Sequence, residues 1–355
     1  MTVSARTFSR ALVTGCGGFL GSTLSEQLIA RGVQVVGVDR FSDYYDPWIK
    51  ERNIEALLDA PDFELVRADL ASAPLEPLLE GVDVIFHLAA RAGVRGSFGV
   101  AFADYLSDNV LATQRLLEAS VGRDLSAFVY ASSSSIYGHA GKPVSESSPR
   151  RAVSAYGATK MATEDLAQLY HRTEGLPVVG LRYFTAYGPR QRPDMAFSRF
   201  IAHALRRDPI PVYGDGSQLR DFTYVEDVID ATIAAAELGR PGLAYNVGGG
   251  TPIRLLDAIS MLQELLGLPI SVHHVASMRG DARHTNSDGT RAGIDLGFKA
   301  RWALRSGLAR QVEWTLDVAA TAGSAAGSNG HESSANGSAA ANGHRPHEGR
   351  AASRG

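Results

Sequence analysis

The segment Thr14-Gly15-Cys16-Gly17-Gly18-Phe19-Leu20-Gly21 constrains this chain more than any other. It sets Gly-x-x-Gly-x-x-Gly between a short apolar run, residues 11–14, and residues 20–31, whose apolar positions recur at helical spacing. Glycines so placed let the backbone approach a pyrophosphate, whose charge then rests on the helix N-terminus. A glycine triplet alone is also an ordinary tight turn. Asp39 sharpens the reading, because it ends a second strand, residues 34–39, 18 residues after the last glycine. A carboxylate there accepts hydrogen bonds from both ribose hydroxyls and repels a 2′-phosphate. NAD rather than NADP is the expected cofactor, with neighbouring Arg40 the one feature that pulls the other way.

Further strands are expected at 63–67, 84–88, 127–132 and 177–183, and long helices at 103–121 and 156–174. Apolar strands alternating with helices give an α/β fold, a Rossmann-type doubly wound parallel sheet. The expected cofactor domain is 8–182, with residues 222–247 (a helix at 225–238, a strand at 244–247) returning to it. Turn-rich stretches at 188–193, 208–216 and 248–252 mark a smaller substrate lobe over 183–221 and 248–318. Residues 319–355 contain no Leu, Ile, Val, Met, Phe, Tyr or Trp. Such a stretch cannot bury enough surface to offset its ordering entropy and is expected to be a disordered tail.

Composition narrows the partners. A formal charge of −3 argues against nucleic acid. The single cysteine, Cys16, excludes an internal disulfide and a cysteine-built metal site, and no metal is expected; its place in the turn calls for a small residue. No apolar run approaches the roughly 20 residues that cross a bilayer, and the N-terminus does not read as a secretion signal, so a cytoplasmic protein is expected.

The chemistry is carried by Tyr156-Gly157-Ala158-Thr159-Lys160, which puts a phenol and an ammonium on one helix face. The ammonium is expected to lower the tyrosine pKa and favour the phenolate. Upstream, Ser132-Ser133-Ser134-Ser135 ends a strand at the carboxyl edge of the sheet, where open parallel sheets bind ligands.

Together the glycine turn, Asp69-Leu70, His87-Leu88-Ala89-Ala90, Asn109, the serine run, Tyr-x-x-x-Lys and Arg220-Asp221-Phe222 resemble the extended short-chain dehydrogenases that act on nucleotide sugars. The likeness runs from about Arg10 to Trp314. It implies Tyr156, Lys160 and Ser133 as the catalytic set. For the cofactor it implies Gly15, Gly18, Phe19, Leu20, Gly21, Asp39, Arg40, Asp69, Leu70, Leu88, Ala89, Ala90, Asn109 and Tyr183, beside Tyr156 and Lys160. His87 reads as a packed residue rather than a catalyst.

Within that family, dehydratases carry an Asp-Glu pair where this chain has Ser134 and Ser135, and decarboxylases a Glu at the place of Ser135. Thr185 and Arg192-Pro193-Asp194-Met195, with Asp43-Tyr44-Tyr45-Asp46-Pro47 and Ala92-Gly93-Val94-Arg95, are similar to the subgroup that inverts carbon 4 of UDP-glucuronic acid. Its carboxylate pocket maps onto Ser134, Ser135, Thr185 and Arg192, donors that suit a buried carboxylate. The remaining substrate candidates are Arg95, Val212, Arg220, Arg279 and Arg283, the last two being alternatives for one diphosphate contact. The resemblance implies an isomerase that forms UDP-galacturonic acid through a 4-keto sugar, with Tyr156 as acid and base, and a homodimer built on the two long helices. A 4-epimerase for UDP-glucose, UDP-galactose or an N-acetylated relative stays open, as do a UDP-glucuronate decarboxylase and a non-catalytic NAD or UDP-sugar sensor.

Overall fold

In the computed structural model, the described residues are 5–139, 142–277, 279–280 and 282–328. Strands β1 (Arg10–Thr14), β2 (Gln34–Asp39), β3 (Phe63–Arg67), β4 (Val84–His87), β5 (Ala127–Ser133) and β6 (Val178–Tyr183) build the sheet, and a late strand, Ala244–Val247, completes it. Its order is 3-2-1-4-5-6 with the late strand beside β6, and every pairing is parallel. The order reverses between β1 and β4, which opens a crevice at their carboxyl ends. Residues 244–247 therefore return to the sheet.

Although the strands read as continuous apolar runs, their alternation sorts the core into two layers. Ala11, Val13, Val84, Phe86, Ala127 and Val129 pack on one face, and Leu12, Ile85, Phe128 and Tyr130 on the other. The first face is covered by α1 (Phe19–Ala30) and the helix Val225–Leu238 through Leu24, Leu28, Val228 and Ile229. After α2 (Pro47–Ile54) and the short α3 (Phe102–Tyr105), the second face is covered by α4 (Ala112–Ala119) and α5 (Ala155–Glu174) through Leu116, Leu117 and Ala167.

Two stretches differ from expectation. The helix expected over 103–121 is interrupted by a π-helical turn, Leu106–Leu111, between α3 and α4. Such turns add a residue and re-aim side chains, and here they turn Asp108 and Asn109 towards the loop after β4. The stretch 208–216 is not all turn: Ile210–Tyr213 is a strand paired in parallel with Val272–Val275.

Besides the sheet there are shorter pairs, β7 (Thr185–Tyr187) with Phe222–Tyr224 and Leu219–Arg220 with Ile253–Arg254, and the helices α6 (Ala196–Arg206), Leu255–Leu266 and Thr290–Leu296. Among the described residues, contacts divide the chain at Thr315 into a first unit and a second that begins at Leu316. The last helix, Leu304–Ser328, carries helical structure past the expected boundary at 319. An alanine-rich segment that cannot build a core still favours a helix. Residues 329–355 lie outside the described residues. No described helix is long and apolar enough to cross a membrane.

Candidate active site

The crevice between β1 and β4 continues into one cavity of about 710 Å³ that runs from the glycine turn to Arg220. Its floor is the uncapped start of α1. Gly18 occupies the N-cap and offers no side chain, and the first turn holds no acidic residue, so its N–H groups face the cavity at Phe19, Leu20 and Gly21. Gly15 sits at φ +73, where an added Cβ would lie 3.0 Å from the Ala89 backbone. At Gly21 it would lie 2.1 Å from the Gly15 carbonyl oxygen. A side chain at Gly15 would push the turn away from the loop after β4, and one at Gly21 would push it away from α1, so these residues fit a close-lying diphosphate.

Asp39 lines the cavity beyond the turn, accepting from Gly17 N at 3.1 Å and from Phe41 N at 2.8 Å. A carboxylate has room for further donors, which fits a ribose. Arg40 is held by two carboxylates, Asp69 at 3.0 Å and Asp108 at 2.7 Å. The guanidinium and the Ala71 N–H hold the Asp69 carboxyl below the usual range in spite of partial burial. With Arg40 engaged in this way, the doubt it raised about a 2′-phosphate weakens. Leu70, Leu88, Ala89, Ala90 and Tyr183 also line the cavity.

The sugar end is assembled by β5 and α5. Ser154 caps α5, its Oγ accepting from Gly157 N at 3.0 Å. A Cβ on Gly157 would stand 2.6 Å from the Ser135 carbonyl oxygen, so glycine lets the helix close on the strand end. That approach sets Tyr156 beside Ser133 at the cavity wall, and Lys160 Nζ donates to the Ala131 carbonyl at 2.8 Å. Behind them a buried ion pair ties three elements. Glu164 of α5 accepts from Arg182 Nε at 2.8 Å and Nη2 at 2.9 Å, and from Ser132 Oγ at 2.6 Å.

Burial pushes the Tyr156 phenol above its ordinary value, and Ser133 and Arg192 oppose this. The ammonium is itself out of water: burial pulls it down to about 8, against the Glu164 carboxylate one turn on, which holds it up. His87 is a packed residue in this structure. Its Nδ1 lies 2.8 Å from Thr14 Oγ1 and its Nε2 2.9 Å from Thr113 Oγ1. Thr113 gives its own proton to the Asn109 carbonyl, so His87 donates from Nε2 and accepts from Thr14. Burial and the Lys160 charge lower it to about 3.

Ser134, Ser135, Thr185 and Arg192 line the same cavity as Tyr156, as do Arg95, stacked 4.0 Å over the Tyr213 ring, and Arg220. Four candidates do not line it. Asn109 is buried and bonds the Arg91 backbone and Thr159 Oγ1, and so braces α5 against the loop after β4. Val212 is fully buried in the core, turned away by the alternation of its strand. Arg279 stacks 4.6 Å from the Phe98 ring, and Arg283 offers its carbonyl to Arg220 Nη1 at 3.2 Å. Met278 and Asp281, in the same segment, lie outside the described residues. Tyr44, Tyr45, Lys50, Arg91, Asp108 and Asp194 line the cavity without having been singled out as site residues. Tyr44, Tyr45 and Asp194 stood inside the quoted segments; Lys50, Arg91 and Asp108 carried no local signal.

This sheet order, with a glycine-floored crevice leading to a buried Tyr-Ser-Lys set, defines a dinucleotide-dependent enzyme of the short-chain dehydrogenase type. The chain belongs to the NAD dependent epimerase/dehydratase family, whose pattern it matches over residues 11–248. YtcB of Bacillus subtilis (strain 168), described as an uncharacterized UDP-glucose epimerase, is 40% identical over 309 residues, covering 86% of this chain and 97% of its own. UDP-glucuronic acid 4-epimerase from Bacillus cereus, solved with UDP-glucuronic acid and NAD, is 39% identical with a TM-score of 0.85, covering 87% of this chain and 99% of that one. MoeE5, also solved with UDP-glucuronic acid and NAD, is 43% identical with a TM-score of 0.80, covering 87% and 100%.

The buried lysine has a measurable signature. Its folded form gives up a proton before its unfolded form does, so the folded state gains stability from this group as pH rises from about 8 towards the ordinary lysine value. Lys160→Met removes that increment. Unfolding free energies at about pH 7 and about pH 10 should therefore rise less steeply, or fall more, in the variant than in wild type; identical pH slopes would place the ammonium in water.

Proposed function

We propose that the chain is an NAD-dependent isomerase that inverts carbon 4 of UDP-glucuronic acid to give UDP-galacturonic acid. The observation that carries this reading is that one cavity holds the Tyr156–Ser133 pair, buried Lys160, and a guanidinium with three hydroxyl residues: Arg192, Ser134, Ser135 and Thr185. Neutral hexoses have no need of a guanidinium, whereas a uronate leaving water requires one. The Bacillus cereus enzyme and MoeE5, both solved with UDP-glucuronic acid and NAD, support the same substrate.

NAD, when bound at the glycine turn and Asp39, supplies the hydride acceptor and donor. The chain's residues handle the proton and the geometry. Tyr156 Oη takes the proton of the sugar's 4-hydroxyl as carbon 4 becomes a ketone, with Ser133 Oγ bridging the two oxygens. Ser133 and the Arg192 charge oppose the burial that otherwise keeps the phenol protonated. Lys160 holds positive charge one helical turn away. The uridine diphosphate stays anchored at the Arg95 and Arg220 end while the keto sugar turns, so remote binding energy retains the intermediate. On its return the proton comes from Tyr156 and the configuration is inverted. The intermediate is a β-keto acid, and holding its carboxylate by Thr185, Ser134, Ser135 and Arg192 keeps the carbon–carboxylate bond out of line with the ketone, which disfavours loss of carbon dioxide.

The same reading includes a homodimer built on α5 and on α3 and α4 with the π turn between these two. Leu106, Leu111 and Leu169 leave 43%, 45% and 45% of their surface exposed there.

Separate incubation with UDP-glucuronate, UDP-glucose and UDP-N-acetylglucosamine, with products identified by NMR, tests the substrate. UDP-galacturonate is expected, and conversion of a neutral sugar alone overturns the reading. Tyr156→Phe should lower turnover at least about a hundredfold while NAD released on denaturation stays at the wild-type ratio. Arg192→Ala should raise the KM for UDP-glucuronate about ten- to a hundredfold, the worth of a charge-assisted hydrogen bond, and increase pentose formation. Leu111→Glu with Leu169→Glu should shift the sedimenting species from dimer to monomer.

A further inference from the structure

Arg192 and Asp194 lie on a segment whose backbone is fastened at several points. Arg190, at φ +66, reaches Glu26 with both Nη atoms, at 2.8 and 2.6 Å. Gln191 is buried: its Nε2 donates to the Ala186 carbonyl at 3.0 Å, and its Oε1 accepts from Ser198 N at 3.0 Å and from Gln311 Nε2 at 2.8 Å. Any rearrangement here therefore belongs to side chains. Arg192 gives one edge of its guanidinium, Nε and Nη2, to the two oxygens of Asp194, both at 2.9 Å. Its face lies 5.9 Å from the Tyr44 ring, and Nη1 has no hydrogen-bond acceptor among the described residues. Arg192 is the sequestered member, with 17% of its side chain exposed, whereas Asp194 has 40% and can swing into solvent.

We propose that Asp194 is an exchange partner for Arg192: it takes the guanidinium when the substrate's carboxylate leaves it, and so lets the bound sugar turn. The inference rests on the uronate reading above. A carboxylate and a guanidinium out of water are costly to separate, because the charge left behind is bare. Inverting carbon 4 requires the sugar to show both faces to one hydride site, so the carboxylate must give up its hold on Arg192 in every turnover. With Asp194 alongside, the guanidinium changes one carboxylate for another and is never bare. The arrangement has a counterpart in affinity. Two carboxylates sharing a guanidinium repel, so the uronate binds more weakly than it would to Arg192 alone. Asp194 thus trades ground-state affinity for turnover, which makes it a positioning residue acting through Arg192.

The test is a split between KM and kcat for UDP-glucuronate in the full-length, NAD-loaded enzyme. Asp194→Asn, which keeps the shape and removes the charge, should lower KM and kcat together by about three- to tenfold, leaving kcat/KM within about twofold. The Kd for UDP-glucuronate, measured in a Tyr156→Phe background where no turnover intervenes, should fall by the same factor. Asp194→Glu should restore both constants towards wild type. If Asp194 merely aligns Arg192, its loss raises KM and leaves kcat unchanged, and that result overturns the proposal, as does an unchanged KM. A wild-type enzyme that does not convert UDP-glucuronate fails at an earlier point: it overturns the substrate reading and this proposal with it, whereas normal conversion with no split in Asp194→Asn overturns the proposal alone.

Discussion

The site depends on the buried pair of Glu164 and Arg182. Both side chains are almost wholly out of water, and Ser132 and Arg150 also donate to the carboxylate. Removing the carboxylate from such a pair leaves the Arg182 charge uncompensated, at a cost of about 3–5 kcal/mol. The pair holds α5 to the ends of β5 and β6 at one register. Tyr156 then meets Ser133, Lys160 meets the Ala131 carbonyl, and Gly157 can lie against the Ser135 carbonyl. Arg182 also donates to Tyr137 Oη, which in turn donates to Asn246 on the late strand Ala244–Val247. The same network thus seats that strand and α5.

Burial at this end of the cavity works on both Tyr156 and Lys160 towards neutrality. It raises the phenol and lowers the ammonium. A phenolate is favoured by what enters or faces the cavity: Ser133, the Arg192 guanidinium, and positive charge brought by a cofactor. His87 is kept out of this chemistry, since both ring nitrogens are committed to threonines in a chain whose proton order is set at each step. The cavity's charge is also balanced locally. Arg40 is matched by Asp69 and Asp108, and Arg192 by Asp194, so a chain of net charge −3 sets a few paired guanidinia in its cavity rather than a basic surface.

Much of the fold was legible because local patterning and tertiary role agree. Residues 34–39, 63–67, 225–238 and 244–247 form the elements that their apolar spacing implies. The π-helical turn at Leu106–Leu111 was not legible, since its apolar spacing resembles that of the α-helix around it. Ile210–Tyr213 escaped notice among glycines and prolines because a four-residue strand has too few alternations to stand out. That miss explains Val212: once the segment is a strand, alternation sends the side chain into the core. Asn109 belongs to the family pattern, and its bonds to Thr159 and the Arg91 backbone join segments that no local motif links.

By itself the sequence determined what rests on neighbours along the chain. The glycine turn ahead of α1, the carboxylate at the end of β2, and a phenol and an ammonium one turn apart on α5 all follow from spacing of a few residues, since strand and helix periods are local. Tertiary structure decided which of these groups are charged and which are occupied. Arg40 finds Asp69 and Asp108 from separate elements, Lys160 sits in a buried site under the influence of Glu164, and Tyr156 answers to Arg192 from beyond β7. Charge state and pairing depend on desolvation and on distances between segments far apart in the chain, and those exist only once the sheet has brought its carboxyl edge together.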